Sequence, residues 1–132
     1  MKKVIYSLVA IAAFSGISTN ASAEWTVIDT NTGITSYVDK GTIHKEENIV
    51  VMSTLDDLAL PNKFREGFYH STIWQEGYDC AKKTHRVINS TFYEERMGKG
   101  NVLASFGPTQ QWEKIQPNSA SEALWKIACD IK

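Results

Sequence analysis

The residues of this 132-residue chain that could do chemistry are three histidines, two cysteines, adjacent acidic pairs such as Asp56-Asp57 and Glu94-Glu95, and one tight basic cluster. His44, His70 and His85 have no i, i+4 pairing and no Cys or carboxylate at metal-ligand spacing, so no metal site is expected from them. Asp56-Asp57 and Glu94-Glu95 are chain neighbours, and neighbours on a strand point to opposite faces, so neither pair makes a catalytic dyad. They read as solvated charges at turns and strand ends. Ser71 and Ser105 lie in no nucleophile-elbow context. Gly98-Lys99-Gly100 lacks the length and the following helix of a phosphate loop and reads as a hairpin turn. The chemistry expected is therefore non-enzymatic, with no catalytic residue, no metal and no cofactor.

What remains is surface. Lys82, Lys83, His85 and Arg86 form the densest basic cluster, just after Cys80 and with aromatic residues on both sides in the chain. An anionic or acidic partner could use Lys82, Lys83 and Arg86 as a contact; the alternative is a solvated loop and strand face. Asn89-Ser90-Thr91 has the form of a glycosylation sequon, but the leader and composition look bacterial, so it carries no weight here.

The first 23 residues read as a secretory signal peptide: a basic start at Lys2 and Lys3, an apolar stretch over 4–17, and a small-residue exit at Ala21-Ser22-Ala23. A membrane span would need about 20 apolar residues, and Ser15, Gly16, Ser18, Thr19 and Asn20 interrupt this stretch. Cleavage is expected after Ala23, leaving residues 24–132 as one domain that is periplasmic, at the cell surface or secreted. No Cys near the cut could accept a lipid, and no later stretch is long and apolar enough to span a bilayer. Loss of the leader removes two bases and no acid, so 12 bases face 15 acids and the net charge becomes −3. A weakly acidic chain with scattered bases lacks the footprint of phosphate-backbone binding, and nucleic acid is not an expected partner.

In an oxidising compartment, an even cysteine count without CxxC spacing favours one structural disulfide, Cys80 to Cys129, over a metal or redox site. The other reading, two unpaired buried thiols, suits that compartment poorly. A bridge closing a loop of about 50 residues would stabilise the fold by roughly 4 kcal/mol at most.

The elements that must hold these residues follow from periodicity. Runs rich in β-branched and aromatic residues at 25–28, 35–38, 49–55, 68–74, 84–93 and 102–106 predict six strands. Asn31-Thr32-Gly33, Asp39-Lys40-Gly41, Glu46-Glu47-Asn48 and Gly98-Lys99-Gly100 supply turn chemistry between them. Connections this short carry no crossover helix, so the sheet should be antiparallel. Gly77 is a candidate bulge, because the alternation over 68–80 is not clean. After Pro117 the period changes: Ser119 and Glu122 stand at capping-box spacing, and Ala120, Ala123, Leu124, Ile127, Ala128 and Ile131 form one helical stripe. The fold class predicted is α+β, an antiparallel sheet of about six strands covered by one C-terminal helix.

Together these residues resemble a family. Tyr37-Val38-Asp39 followed by Thr42-Ile43, Gly77-Tyr78-Asp79-Cys80, Phe92-Tyr93 followed by Gly98 and Gly100, and Ala123-Leu124 leading to Ala128-Cys129 are similar, in order and spacing, to the surface-adhesin protein E family of Gram-negative bacteria. The resemblance spans essentially all of 24–132. It implies a six-stranded antiparallel sheet with a C-terminal helix, Cys80 and Cys129 as the bridged pair, and a binding role toward extracellular-matrix or plasma proteins such as vitronectin and laminin. The alternative is a periplasmic structural or inhibitor-like protein that binds another envelope protein. The chain departs from the family's adhesin just before Cys80, where a basic segment is replaced by 71–79 with two acids, Glu76 and Asp79, and no base. The expected partner is a protein, and a homodimer is compatible with the sequence.

Overall fold

A computed structural model describes residues 23–109 and 111–131; the leader proper lies outside them. Seven strands and one helix follow in order: β1 (Thr26–Asn31), β2 (Ile34–Glu46), β3 (Ile49–Phe64), β4 (Gly67–Asp79), β5 (Thr84–Tyr93), β6 (Val102–Phe106), β7 (Glu113–Lys114) and α1 (Ala120–Ala128). The six longer strands form a plain antiparallel meander in chain order, and β7 pairs with the first residues of β5. The predicted α+β class holds, as do the bounds of β5 and β6. β7 was missed, because two residues carry no readable period.

The meander is longer in its first half than the sequence pattern suggests. Asp39-Lys40-Gly41, expected to reverse the chain, instead makes an irregularity inside β2. The Asp39 carboxylate accepts from the Gly41 backbone N–H at 2.9 Å, and the Thr42 hydroxyl donates back to the Asp39 carbonyl at 2.6 Å. Thr42 Oγ1 also accepts from the Ser53 backbone N–H of β3, so the local turn is absorbed into the ladder, which resumes at His44. Residues with turn propensity can form a bulge as well as a reversal when both flanks find a partner strand. A second irregularity sits at 58–61 of β3, where the ladder to β4 passes from Asp57–Ser71 to Asn62–Tyr69. Here Leu58 and Ala59 stay paired to the start of β2, and Pro61 has no N–H to donate.

Gly77 is not the bulge. It pairs regularly with Val51 and Arg86, and the extra residue lies on β5, where Gln75 pairs Asn89 but Glu76 pairs Val87. The side chains around 77 leave a Cβ little room. A Cβ there would stand 3.3 Å from both Ile49 Cδ1 and Ile88 Cδ1, with the Trp112 ring at 3.5 Å.

The two faces of the sheet are covered differently. On one, Val38, Val50, Met52 and Tyr78 form a core with Ile115 and with Ala128 of the helix. Ser119 caps α1 as predicted, its hydroxyl accepting from the Glu122 backbone N–H at 3.1 Å. On the other face, a single 3₁₀ turn at Arg96–Gly98 folds back over Leu55 and Ile73. Asp57, 1% exposed, holds that turn by accepting from Arg96 Nε at 3.0 Å, Arg96 Nη2 at 2.6 Å and the Met97 backbone N–H at 2.9 Å. Ser71 assists by accepting from the Gly98 N–H and donating to the Glu95 carbonyl. Asp57 is thus a buried structural anchor and not the solvated charge that its place in the sequence suggests. No helix among the described residues is long and apolar enough to cross a membrane.

Candidate functional site

The turn after β4 and the helix form one clamped unit. Cys80 leaves β4 and is bridged to Cys129 at the end of α1, with a Cα–Cα distance of 5.8 Å. Three residues on, Lys83 adopts φ +53°, which turns the chain back into β5. Its ammonium donates to Glu122 Oε2 at 2.7 Å and lies 4.9 Å from the centre of the Trp125 ring. The Lys83 ammonium, followed by the Asn118 backbone N–H, holds the Glu122 carboxyl below its ordinary range. The helix is therefore fastened to the β4–β5 turn by a covalent bond, an ion pair and a cation–π contact.

These bonds divide the basic cluster. Lys82 is exposed, its backbone N–H donated to Asp79 Oδ1 at 3.0 Å and its side chain unpaired among the described residues. Lys83 faces the helix. Arg86 lies on the opposite face of the sheet, its guanidinium 5.4 Å from the centre of the Trp112 ring. His85 is half-buried on the helix face, stacked on Tyr78. The three predicted contact residues are close in the chain but point in three directions, because Lys82 and Lys83 lie in the turn, where Lys83 adopts positive φ, and only Arg86 is on β5.

A feature that sequence reasoning missed lies on the helix side of the sheet, beside the N-terminal half of α1. A groove of about 450 Å³ opens there, floored by β1 to β5 and walled by α1. Ile28, Val87 and Leu124 give it apolar sides, while Ala120 and Ala123, predicted on the buried stripe, are exposed and line it. Two alanines are too short to close the space between helix and sheet. The floor carries Asp29, Asp56 and Glu76. Asp56 accepts from the Ser36 hydroxyl at 2.7 Å and from Trp74 Nε1 at 3.1 Å. Glu76 Oε2 accepts from the Tyr78 hydroxyl at 3.0 Å and meets His85 Nδ1 at 3.2 Å. Burial, followed by the charge of Glu76, pushes the Tyr78 phenol well above its ordinary pKa, so it stays a neutral donor. Beyond Trp74 the surface continues as an aromatic cluster of Phe92, Tyr69, Phe64 and the exposed Phe106.

Among the described residues no group of three or more His, Cys, Asp or Glu is arranged to hold a metal. His44 donates to the Thr42 carbonyl at 2.7 Å and pairs with Glu46, and these bonds, that to Thr42 first, raise its pKa. His70 bonds the Glu94 carbonyl. The histidines lie on separate strands in local bonds.

The family model of surface-adhesin protein E matches residues 25–130. The chain belongs to the surface-adhesin protein E family. Its fold is similar to that of protein E from Haemophilus influenzae, crystal form II, at 17% identity and a TM-score of 0.61, covering 83% of this chain and 97% of that one. Protein E from non-typeable Haemophilus influenzae is similar at 17% identity and a TM-score of 0.56, covering 83% and 86%. No curated protein matches significantly. The meander, the C-terminal helix and the bridge between Cys80 and Cys129 are thus features of a surface-adhesin E member.

Proposed function

We propose that this surface-adhesin E member is an exported, non-catalytic binding protein whose partner is a protein, with extracellular-matrix or plasma proteins as the class to test first. The observation that carries the reading is the family match over 25–130. It is supported by the commitment of the titratable side chains to structural bonds, such as those of Asp57 and His70, and by the rigid unit of bridged turn and helix. A rigid surface loses less freedom on association.

Within this reading Lys82 makes the first contact at the β4–β5 turn, while Lys83, paired with Glu122, and Arg86, on the opposite face of the sheet, would meet a partner separately. Rim charges act mainly through association rate and salt dependence. The test is surface-plasmon resonance of the purified protein on immobilised vitronectin and laminin at rising ionic strength. Expected is saturable binding that weakens with salt and whose salt dependence is reduced in Lys82→Ser. Absence of saturable binding to either would overturn the host-directed reading, and unchanged salt dependence in Lys82→Ser would overturn the contact.

One observation favours a second reading, a periplasmic structural or inhibitor-like protein acting on another envelope protein. The stretch before Cys80 holds Glu76 and Asp79 and no base. Protease treatment of intact cells separates the two. Digestion of the intact-cell pool supports surface display, whereas digestion only after outer-membrane permeabilisation supports the periplasmic role.

A further inference from the structure

We infer that the groove between α1 and the sheet is a second binding site, one that takes an arginine or lysine side chain flanked by apolar residues from a partner polypeptide. It rests on the reading of this chain as a binding protein but uses a different surface from the Lys82 turn.

The volume, about 450 Å³, falls in the range of about 300–1,000 Å³ usual for ligand sites and exceeds what one side chain would fill. Charge complementarity selects the occupant. Asp29, Asp56 and Glu76 line the groove, and no Lys or Arg does so among the described residues. The donors that Asp56 holds, a hydroxyl and an indole N–H, are neutral. They orient the carboxylate without cancelling its charge and leave lone pairs open. Among the described residues Glu76 is bonded only through Oε2, which leaves Oε1 open to a donor.

Thr54 also lines the groove and adds a hydroxyl to its polar wall. A guanidinium has five donors in a planar fork that suits carboxylates and a hydroxyl acceptor together. Its stem and apolar neighbours match Ile28, Val87 and Leu124, with Trp74 beside them in the groove wall. An anion or an acidic peptide would meet three carboxylates instead.

The test is NMR titration of the isotope-labelled protein with the blocked peptide acetyl-Leu-Arg-Leu-amide, and with the same peptide carrying citrulline in place of arginine. Citrulline keeps shape and hydrogen bonding but lacks charge. Expected are saturable shifts at Thr54, Trp74 and Leu124 for the arginine peptide, with affinity lower by about tenfold or more for the citrulline peptide and for Glu76→Gln. Ala123→Lys, at an exposed helix position that should not disturb folding, places a cation over the groove and should abolish binding. Equal binding of both peptides, or no saturable shift at groove residues, would overturn the inference. So would undiminished binding to Ala123→Lys. Lys82→Ser should bind the peptide normally, so failure at the groove and failure of the vitronectin and laminin assay are separate results.

Discussion

Ser71 and Asp57 decide the second face of the sheet, because each satisfies backbone groups that the returning 95–98 segment would otherwise bury unpaired. Replacing Ser71 with Ala leaves the Gly98 N–H and the Glu95 carbonyl without their partner, a loss of about 1–3 kcal/mol. Chemical denaturation should show a lower midpoint with an unchanged slope, and an unchanged midpoint would mean that water replaces the hydroxyl at no cost. A pH-dependent case is Lys83 with Glu122. A carboxyl held below its ordinary pKa stabilises the fold above that value, here 4.5, and loses the contribution as pH falls through its lower folded value. The drop in melting temperature caused by Lys83→Met should therefore be present at neutral pH and shrink as pH is lowered from 4.5. A drop that is constant across this range would assign the role of Lys83 to its stacking on Trp125 alone. These roles were not legible in the sequence. Asp57 looks like its neighbour Asp56 there, and only the register of β3 against β4 sends one into a buried network and the other to the groove. The turn before β5, with Lys83 at positive φ, separates Lys82, Lys83 and Arg86, which a linear reading groups as one patch.

The elements were legible where their ends coincide with turn or cap residues. β5 ends before the turn that Gly98 and Gly100 shape at φ +68° and +80°, and α1 begins where Ser119 caps it. They were not legible where tertiary pairing overrides local signals: β2 runs through Asp39-Lys40-Gly41 and β3 through Pro61. Such overrides are invisible without the partner strand. Gly98 gives an element-level prediction, since a Cβ there would lie 2.7 Å from Ile73 Cδ1 on a backbone already at positive φ. Gly98→Ala should destabilise by about 1–3 kcal/mol, with the largest loss of amide protection at 95–99 in hydrogen exchange. Uniform loss of protection across the sheet would place the strain elsewhere.

At the scale of the whole molecule, the helix buries little sheet for its length, since its first half stands over the groove and only its second half, around Leu124, Trp125, Ile127 and Ala128, packs on the core. A nine-residue helix is too short to persist on its own propensity. Its position therefore depends heavily on the Cys80–Cys129 bridge, and the bridge in turn depends on where the chain is oxidised. On the proposed export, disulfide and groove form one linked property. Protein purified from the envelope of its own host, with thiols blocked at lysis, should have a mass corresponding to cleavage after Ala23 and an N-terminus at Glu24. It should contain no titratable thiol. A cut there leaves Glu24 and Trp25 ahead of β1 and so spares the edge strand. The same 24–132 chain made in a reducing cytosol should retain two thiols and be less stable by up to about 4 kcal/mol. The loss should be greatest in amide protection of α1, with Lys83 and Trp125 no longer enough to hold the helix over the groove. Oxidising that cytosolic protein in vitro should restore both stability and helix protection. An envelope-derived protein that keeps Met1, or that titrates two free thiols, would break the link at its first step. Equal helix protection in the reduced and oxidised chains would break it at the last, leaving the core contacts of Ala128 and Ile127 as sufficient to seat α1.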